Sequence, residues 1–177
     1  VLGLFLMRKI SDLRIGALAI LALIQTMLCS MILGIEIGDY AIGSSPFILL
    51  RNELSIPILE RANYLEFIKD GNGLNILLQN YWMVIHPPVL FLGFASVSVP
   101  FAYAFASLMK RDFESWIKEV SPWALFSVAM LGCGILMGGK WAYEALSFGG
   151  FWAWDPVENA SFVPWLFLIA AVHTTMI

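Results

Sequence analysis

His86 and His173 are the only histidines in the chain, and their neighbours set them at different depths. His86 opens the triplet His86-Pro87-Pro88 at the head of an apolar run. A residue before proline avoids the helical region, whereas proline suits the first helical turn, so the helix is expected to start there with the imidazole projecting from it. His173 follows Phe162 by 11 residues inside another apolar run, roughly 16 Å along a helix axis. An ionisable group that deep in a bilayer is costly and points to metal or proton chemistry. The plainer alternatives are a hydrogen-bonded packing residue for His173 and an ordinary surface histidine for His86.

The second constellation is "GGFWAWDPVENASFVPWL", residues 149 to 166. Seven tryptophans are present in all, of which Trp82, Trp116 and Trp123 fall at span ends, where interfacial anchoring explains them. Trp141, Phe148, Phe151, Trp152, Trp154 and Trp165 crowd one loop and its flanking helix ends instead. Rigid rings whose angles are set by glycine and proline suit stacking on a planar macrocycle. In "DPVEN", Asp155 reads as an N-cap, Pro156 as the first helical residue and Glu158 as the returning carboxylate of a capping box. An acid and base pair there would need perturbed environments. No residue is an obvious nucleophile, so no catalytic side chain is assigned.

These residues need a membrane to sit in. The chain has 177 residues, 60% hydrophobic and 13% charged, with mean hydropathy +0.81, far from a soluble balance. The reading is an all-α polytopic membrane protein, a single membrane domain over residues 1–177. Four stretches are long enough to span: about Leu13 to Ile37, Trp82 to Met109, Pro122 to Trp141, and Phe162 to the end. The last is still apolar at Ile177, so it either continues or stops short of a full crossing. Pro100 should kink its span. Val1 is no initiator methionine and no cleavage signature follows, so a targeting segment is either absent or outside these residues.

Six of the ten Lys and Arg (Arg8, Lys9, Arg14, Lys110, Arg111, Lys118) lie on the face that precedes span one and joins spans two and three. The positive-inside tendency then puts the aromatic loop and the segment from Glu36 to Asn80 on the outer side. Net charge is only -3 and no basic run occurs, which excludes a nucleic-acid partner. Cys29 and Cys133 form no CxxC or CxxCH pattern, so neither a zinc cage nor a covalently attached haem is encoded. If both histidines bind iron they bind different irons, because two axial nitrogens on one haem lie only about 4 Å apart.

The stretch 149–166 resembles the tryptophan-rich WWD signature of haem-handling proteins in cytochrome c biogenesis. With "LNILLQNYWMVIHPPVLFLGF", residues 74 to 94, the resemblance narrows to the CcmF-type haem lyase family, over about Asp70 to His173. It implies a WWD-type haem-handling loop over residues 143–161. Trp141, Phe148, Phe151, Trp152, Trp154, Asp155 and Trp165 would hold a substrate haem and His86 would be its outer-side axial ligand. His173 would help ligate a transmembrane haem b. The second histidine of each pair lies, in the family, further along than Ile177. Phe148 and Phe151 stand where the family commonly has tryptophan, so any indole hydrogen bond from them is missing.

The resemblance further implies thioether attachment of haem to the CxxCH of apocytochrome c. Implied partners are other pieces of a split haem lyase, a haem-delivery chaperone, a thiol-reducing partner and the lipid membrane. The mitochondrial inner membrane is the expected location, with a bacterial inner membrane as the alternative. Two rival readings remain: a haem transporter or haem-loading protein, and a structural subunit of a respiratory complex.

Overall fold

The computed structural model describes residues 12–71, 73–147 and 149–176. Helix α1 runs over Asp12–Leu33, followed by a hairpin of β1 (Ile35–Ile37) and β2 (Tyr40–Ile42), antiparallel with Glu36 opposite Ala41. Two single turns, α2 (Leu50–Glu53) and α3 (Tyr64–Phe67), and a 3-10 turn at Ile76–Leu78 lead to the long helices α4 (Tyr81–Lys110), α5 (Ser115–Ala145) and α6 (Pro156–Met176). Among the described residues four helices, α1, α4, α5 and α6, are long and apolar enough to cross a membrane, as the composition demands. Apart from that hairpin the described residues are all-α.

The helix ends differ from the expected spans for local reasons. α1 stops at Leu33, short of Ile37, because Ile35–Ile37 is spent on the hairpin. α5 extends beyond Pro122 and Trp141 at both ends; Pro122 is the eighth residue of the helix, so the Lys118 carbonyl loses its usual donor there. α6 begins at Pro156, ahead of Phe162, because Asp155 caps it. Lipid-facing helices need no polar stripe, and large apolar side chains such as Leu92, Phe101, Leu136 and Phe167 are accordingly exposed.

Contacts divide the chain into two units, Leu23–Asn75, which holds the hairpin and the two short turns, and Val1–Ala22 with Ile76–Ile177. In the larger unit the core is a seam of small and medium side chains: Ala17 and Leu21 of α1, Val99, Ala102, Tyr103 and Ala106 of α4, and Val120 of α5. Trp116 and Trp123, expected as interfacial anchors, pack against it. One end of the seam is pinned by Arg14, whose Nε donates to Glu119 at 2.8 Å, and by the Tyr103 hydroxyl donating to the same carboxylate at 3.4 Å. Buried Ser96, Ser107, Ser127 and Ser161 donate to carbonyls of their own helices, so none is left unsatisfied.

α4 and α5 form an antiparallel hairpin that crosses at backbone contact. A Cβ built on Gly93 would stand 2.6 Å from the Leu131 Cα, and one on Gly134 would stand 2.7 Å from the Leu90 Cα. Small residues spaced three to four apart let membrane helices approach this closely. The turn between them is closed by Arg111 in the left-handed region, with φ 57°, and by the Asp112 N–H bonding the Ser107 carbonyl.

Candidate functional site

His86 does not open its helix. α4 starts five residues earlier at Tyr81, where the Asn80 side chain accepts from the Trp82 N–H at 2.8 Å. Pro87 and Pro88 therefore sit inside the helix, depriving the Met83 and Val84 carbonyls of their usual donors. The expectation that the two prolines mark the helix start is corrected: an asparagine cap upstream and close packing on α5 downstream outweigh the local bias of the residue before proline. His86 lies about 8 Å along α4 from its first residue.

That placement brings the imidazole onto α5. Its Nδ1 stands 2.7 Å from the Gly134 carbonyl oxygen. A carbonyl only accepts, so Nδ1 is the donor, and in the neutral imidazole Nε2 then carries the lone pair. The ring rests on Gly138, where an added Cβ would lie 2.6 Å from Cε1.

Beside His86 is a cleft of about 130 Å³ lined also by Leu90, Gly138, Trp141, Trp152, Asp155 and Glu158. Trp152 is half-buried, and its indole Nε1 is buried with no hydrogen-bond partner among the described residues. Its ring meets Trp154 and Phe162 edge-on, at centroid distances of 6.0 and 5.3 Å. Trp154 is 69% exposed and left-handed at φ 58°, with the Asn159 amide donating to both its carbonyl and that of Asp155. The capping box is present in widened form. Asp155 accepts from the Glu158 N–H at 2.7 Å, and the Glu158 carboxylate reaches back to the Ala153 N–H at 2.7 Å.

The remaining aromatic candidates have other attachments. Trp141 lines the cleft but gives its indole N–H to the Leu77 carbonyl at 3.0 Å, tying the 3-10 turn to α5. Phe151 lies outside the cleft lining, stacked on Tyr143 at 4.8 Å and touching Gly139. Trp165 is outside the cleft lining but reaches the cluster through Phe162, at a centroid distance of 6.1 Å; its indole donates to the Val128 carbonyl at 2.9 Å and lies against Gly132, joining α6 to α5. Phe148 is outside the described residues.

His173 is 17 residues along α6 from Pro156 and is exposed. Its Nδ1 donates to the Ile169 carbonyl of its own helix at 3.1 Å, which in the neutral ring again leaves the lone pair on Nε2. The start of α6 shares the cleft with His86 through Val157, Glu158 and Ser161, and His173 lies beyond Ser161 by roughly 18 Å of helix rise. They do not share a site.

A family model described as cytochrome C assembly protein matches residues 1–177. The chain belongs to that family. It is similar to the cytochrome c-type biogenesis protein CcmF of Pseudomonas aeruginosa, 47% identical over 106 residues, which is 59% of this chain and 16% of that protein. CycK of Rhizobium meliloti is 45% identical over 61% of this chain and 16% of its own length. CcmF of Escherichia coli is 44% identical over 59% of this chain and 16% of its own. The chain thus spans about a sixth of the length of these curated relatives. No solved structure matches it. The role of this CcmF-type cytochrome c assembly protein lies in c-type cytochrome maturation, as a multi-pass membrane protein.

Several residues that shape the site in this cytochrome c assembly protein escaped the sequence reading: the Gly134 carbonyl, Gly138, Tyr143 and Asn159. A signal existed for two of them. Gly132, Gly134, Gly138 and Gly139 concentrate on one span, and the Gly134 to Gly138 spacing marks a close helix approach.

Proposed function

We propose that this chain is the part of a CcmF-type haem lyase that holds substrate haem at the outer membrane face and lends one ligand to a deeper haem b. The carrying observation is His86, whose Nδ1 proton is engaged by the Gly134 carbonyl so that Nε2 offers a lone pair beside a cleft shared with Trp152. A neutral imidazole oriented by a backbone carbonyl is the common arrangement of a metal-ligating histidine.

The donor set suits haem. The unpartnered Trp152 indole N–H needs an acceptor, and haem carries two carboxylates. A cleft of about 130 Å³ is smaller than the roughly 300–1,000 Å³ of ordinary ligand pockets. The loop must therefore yield, or the macrocycle must lie partly outside the cleft, toward exposed Phe151 and Trp154. His173, with its lone pair on an exposed helix face, fits a haem shared with a second imidazole from elsewhere.

Haem and apocytochrome c supply the bond-forming groups: each CxxCH thiol adds across a vinyl group, sulfur to one carbon and hydrogen to the other. This chain binds, orients and excludes water. Other lyase pieces, a haem-delivery chaperone and a thiol-reducing partner complete the assembly. We place it in the mitochondrial inner membrane, with a bacterial inner membrane as the alternative.

The test uses the purified full complex. His86→Ala is expected to weaken outer-site haem binding at least tenfold and to lower holocytochrome c yield with it. His173→Ala is expected to erase a reduced b-type spectrum that survives stripping of the outer haem. An unchanged spectrum in His173→Ala favours a haem transporter or loading protein. Unchanged haem content and yield in both His86→Ala and the Trp152→Ala, Trp154→Ala double variant favour a structural subunit.

A further inference from the structure

We infer that Gly138 is a positioning residue: its missing side chain is the seat of the His86 imidazole, and the Gly134 carbonyl one turn away sets the direction in which Nε2 points. The inference rests on the reading of His86 as the outer haem ligand. Glycine in a helix interior is a poorer choice than alanine, so each glycine of α5 needs a reason, and the neighbours of a built Cβ supply one. At Gly134 they are the Leu90 Cα, N and Cβ, the signature of helix approach. At Gly132 they belong to the Trp165 indole, and at Gly139 to Phe151. At Gly138 the three nearest atoms all belong to one imidazole, the His86 Cε1 at 2.6 Å and Nδ1 and Nε2 at 3.0 Å each.

The helix repeat gives this seat its second half. Residue 134 is the carbonyl partner of residue 138 in an α-helix, so one lone pair of that oxygen serves the helix and the other is open to a side chain lying over the same turn. The His86 ring takes it at 2.7 Å. An alanine at 138 cannot coexist with the ring in this place. The ring would have to swing away, the bond to Gly134 would break, and with it the constraint that keeps the proton on Nδ1 and the lone pair on Nε2. Loss of such an outer partner typically weakens metal binding by about 10- to 100-fold.

The experiment compares wild type, Gly138→Ala, His86→Ala and the double variant in the full complex, titrating haemin and reading the Soret band. Folding is monitored by a far-UV circular dichroism melt. Gly138→Ala is expected to fold as wild type and to bind outer-site haemin about 10- to 100-fold more weakly, and the double variant to lose no more than His86→Ala does. The 15N shifts of histidine-labelled wild type, assigned with His86→Ala, are expected to show His86 protonated on Nδ1, and Gly138→Ala to change that signature.

Wild-type haemin binding by Gly138→Ala while His86→Ala binds weakly overturns the positioning role alone, as do fully additive losses. Wild-type binding by His86→Ala overturns the ligand reading beneath it. Should Gly138→Ala fail to fold, the wild-type tautomer decides: a proton on Nε2 defeats the inference, and a proton on Nδ1 sustains it.

Discussion

At Trp154 the backbone is left-handed, φ 58°, a conformation that costs a residue with a side chain roughly 1–2 kcal/mol. The Asn159 amide, 3.0 Å from the Trp154 carbonyl and 2.9 Å from that of Asp155, holds it there. Asn159→Ala is expected to destabilise the protein by about 1 kcal/mol and to weaken haem retention several-fold without removing any ring. A thermal melt alongside Soret absorbance checks both, and intact haem retention in a destabilised variant would mean that the pose of Trp154 does not matter to the ligand. Asp155 can be resolved by chemistry of the same kind. An N-cap tolerates the change Asp155→Asn, which keeps the accepting oxygen, whereas Asp155→Ala costs about 1 kcal/mol. If Asp155→Asn melts like wild type yet loses haem, the carboxylate charge serves the ligand directly.

Helices carry these residues, and their ends are as consequential as their middles. The α4 to α5 turn is held by Asp112, whose carboxylate accepts from the Ser115 hydroxyl, from the Ser115 N–H at 3.1 Å and from the Glu114 N–H at 3.4 Å. The Ser115 hydroxyl first, then its N–H, hold Asp112 below the usual carboxylate range. A depressed folded-state value means that this contribution is present above the unfolded value near 3.8 and fades as pH falls through the folded one. Melting wild type and Asp112→Asn from pH 6 down to about 3 is expected to show the wild-type advantage shrinking in that acidic window. A constant difference between the two would remove the titration from the turn. At the opposite end of the hairpin, Asn80 donates to Glu144 at 3.1 Å and Lys140 pairs with Glu144 at 2.8 Å. That cluster and the Trp141 to Leu77 bond hold the lead-in to α4 beside the cleft.

On the scale of the whole molecule, the consequential fact is that the two imidazoles occupy different levels of the helix bundle and different faces. His86 turns inward onto α5, and His173 turns outward from α6. Sites this far apart with no shared partner should behave additively. In the assembled complex, His86→Ala is expected to leave the deeper b-type spectrum at wild-type intensity, and His173→Ala to leave outer-site haemin affinity within about twofold. Loss of both signals in either variant would place the two ligands on one coupled centre. If His173 ligates a deeper haem as proposed, its exposed position predicts that this haem is lost when the chain is separated from the other pieces.

Hydropathy and length determined the four spanning helices, because lipid rewards any run of about 20 apolar residues and forbids unpaired backbone, so that element type is written locally. The Asp155 cap was legible for the same reason: its partners are close in sequence. The two histidines and the crowded tryptophans were legible as candidates by type, and motif resemblance supplied their family. Only the tertiary structure decided which candidates meet. His86 was assigned to a helix start by its prolines, yet upstream capping and the α5 contact carry the helix through them. The indole N–H groups of Trp141 and Trp165 bond the Leu77 and Val128 carbonyls, tertiary partners that no local pattern announces. The seat of the imidazole on Gly138 joins residues 52 positions apart, and a contact made across two helices depends on their crossing point, which no local pattern encodes.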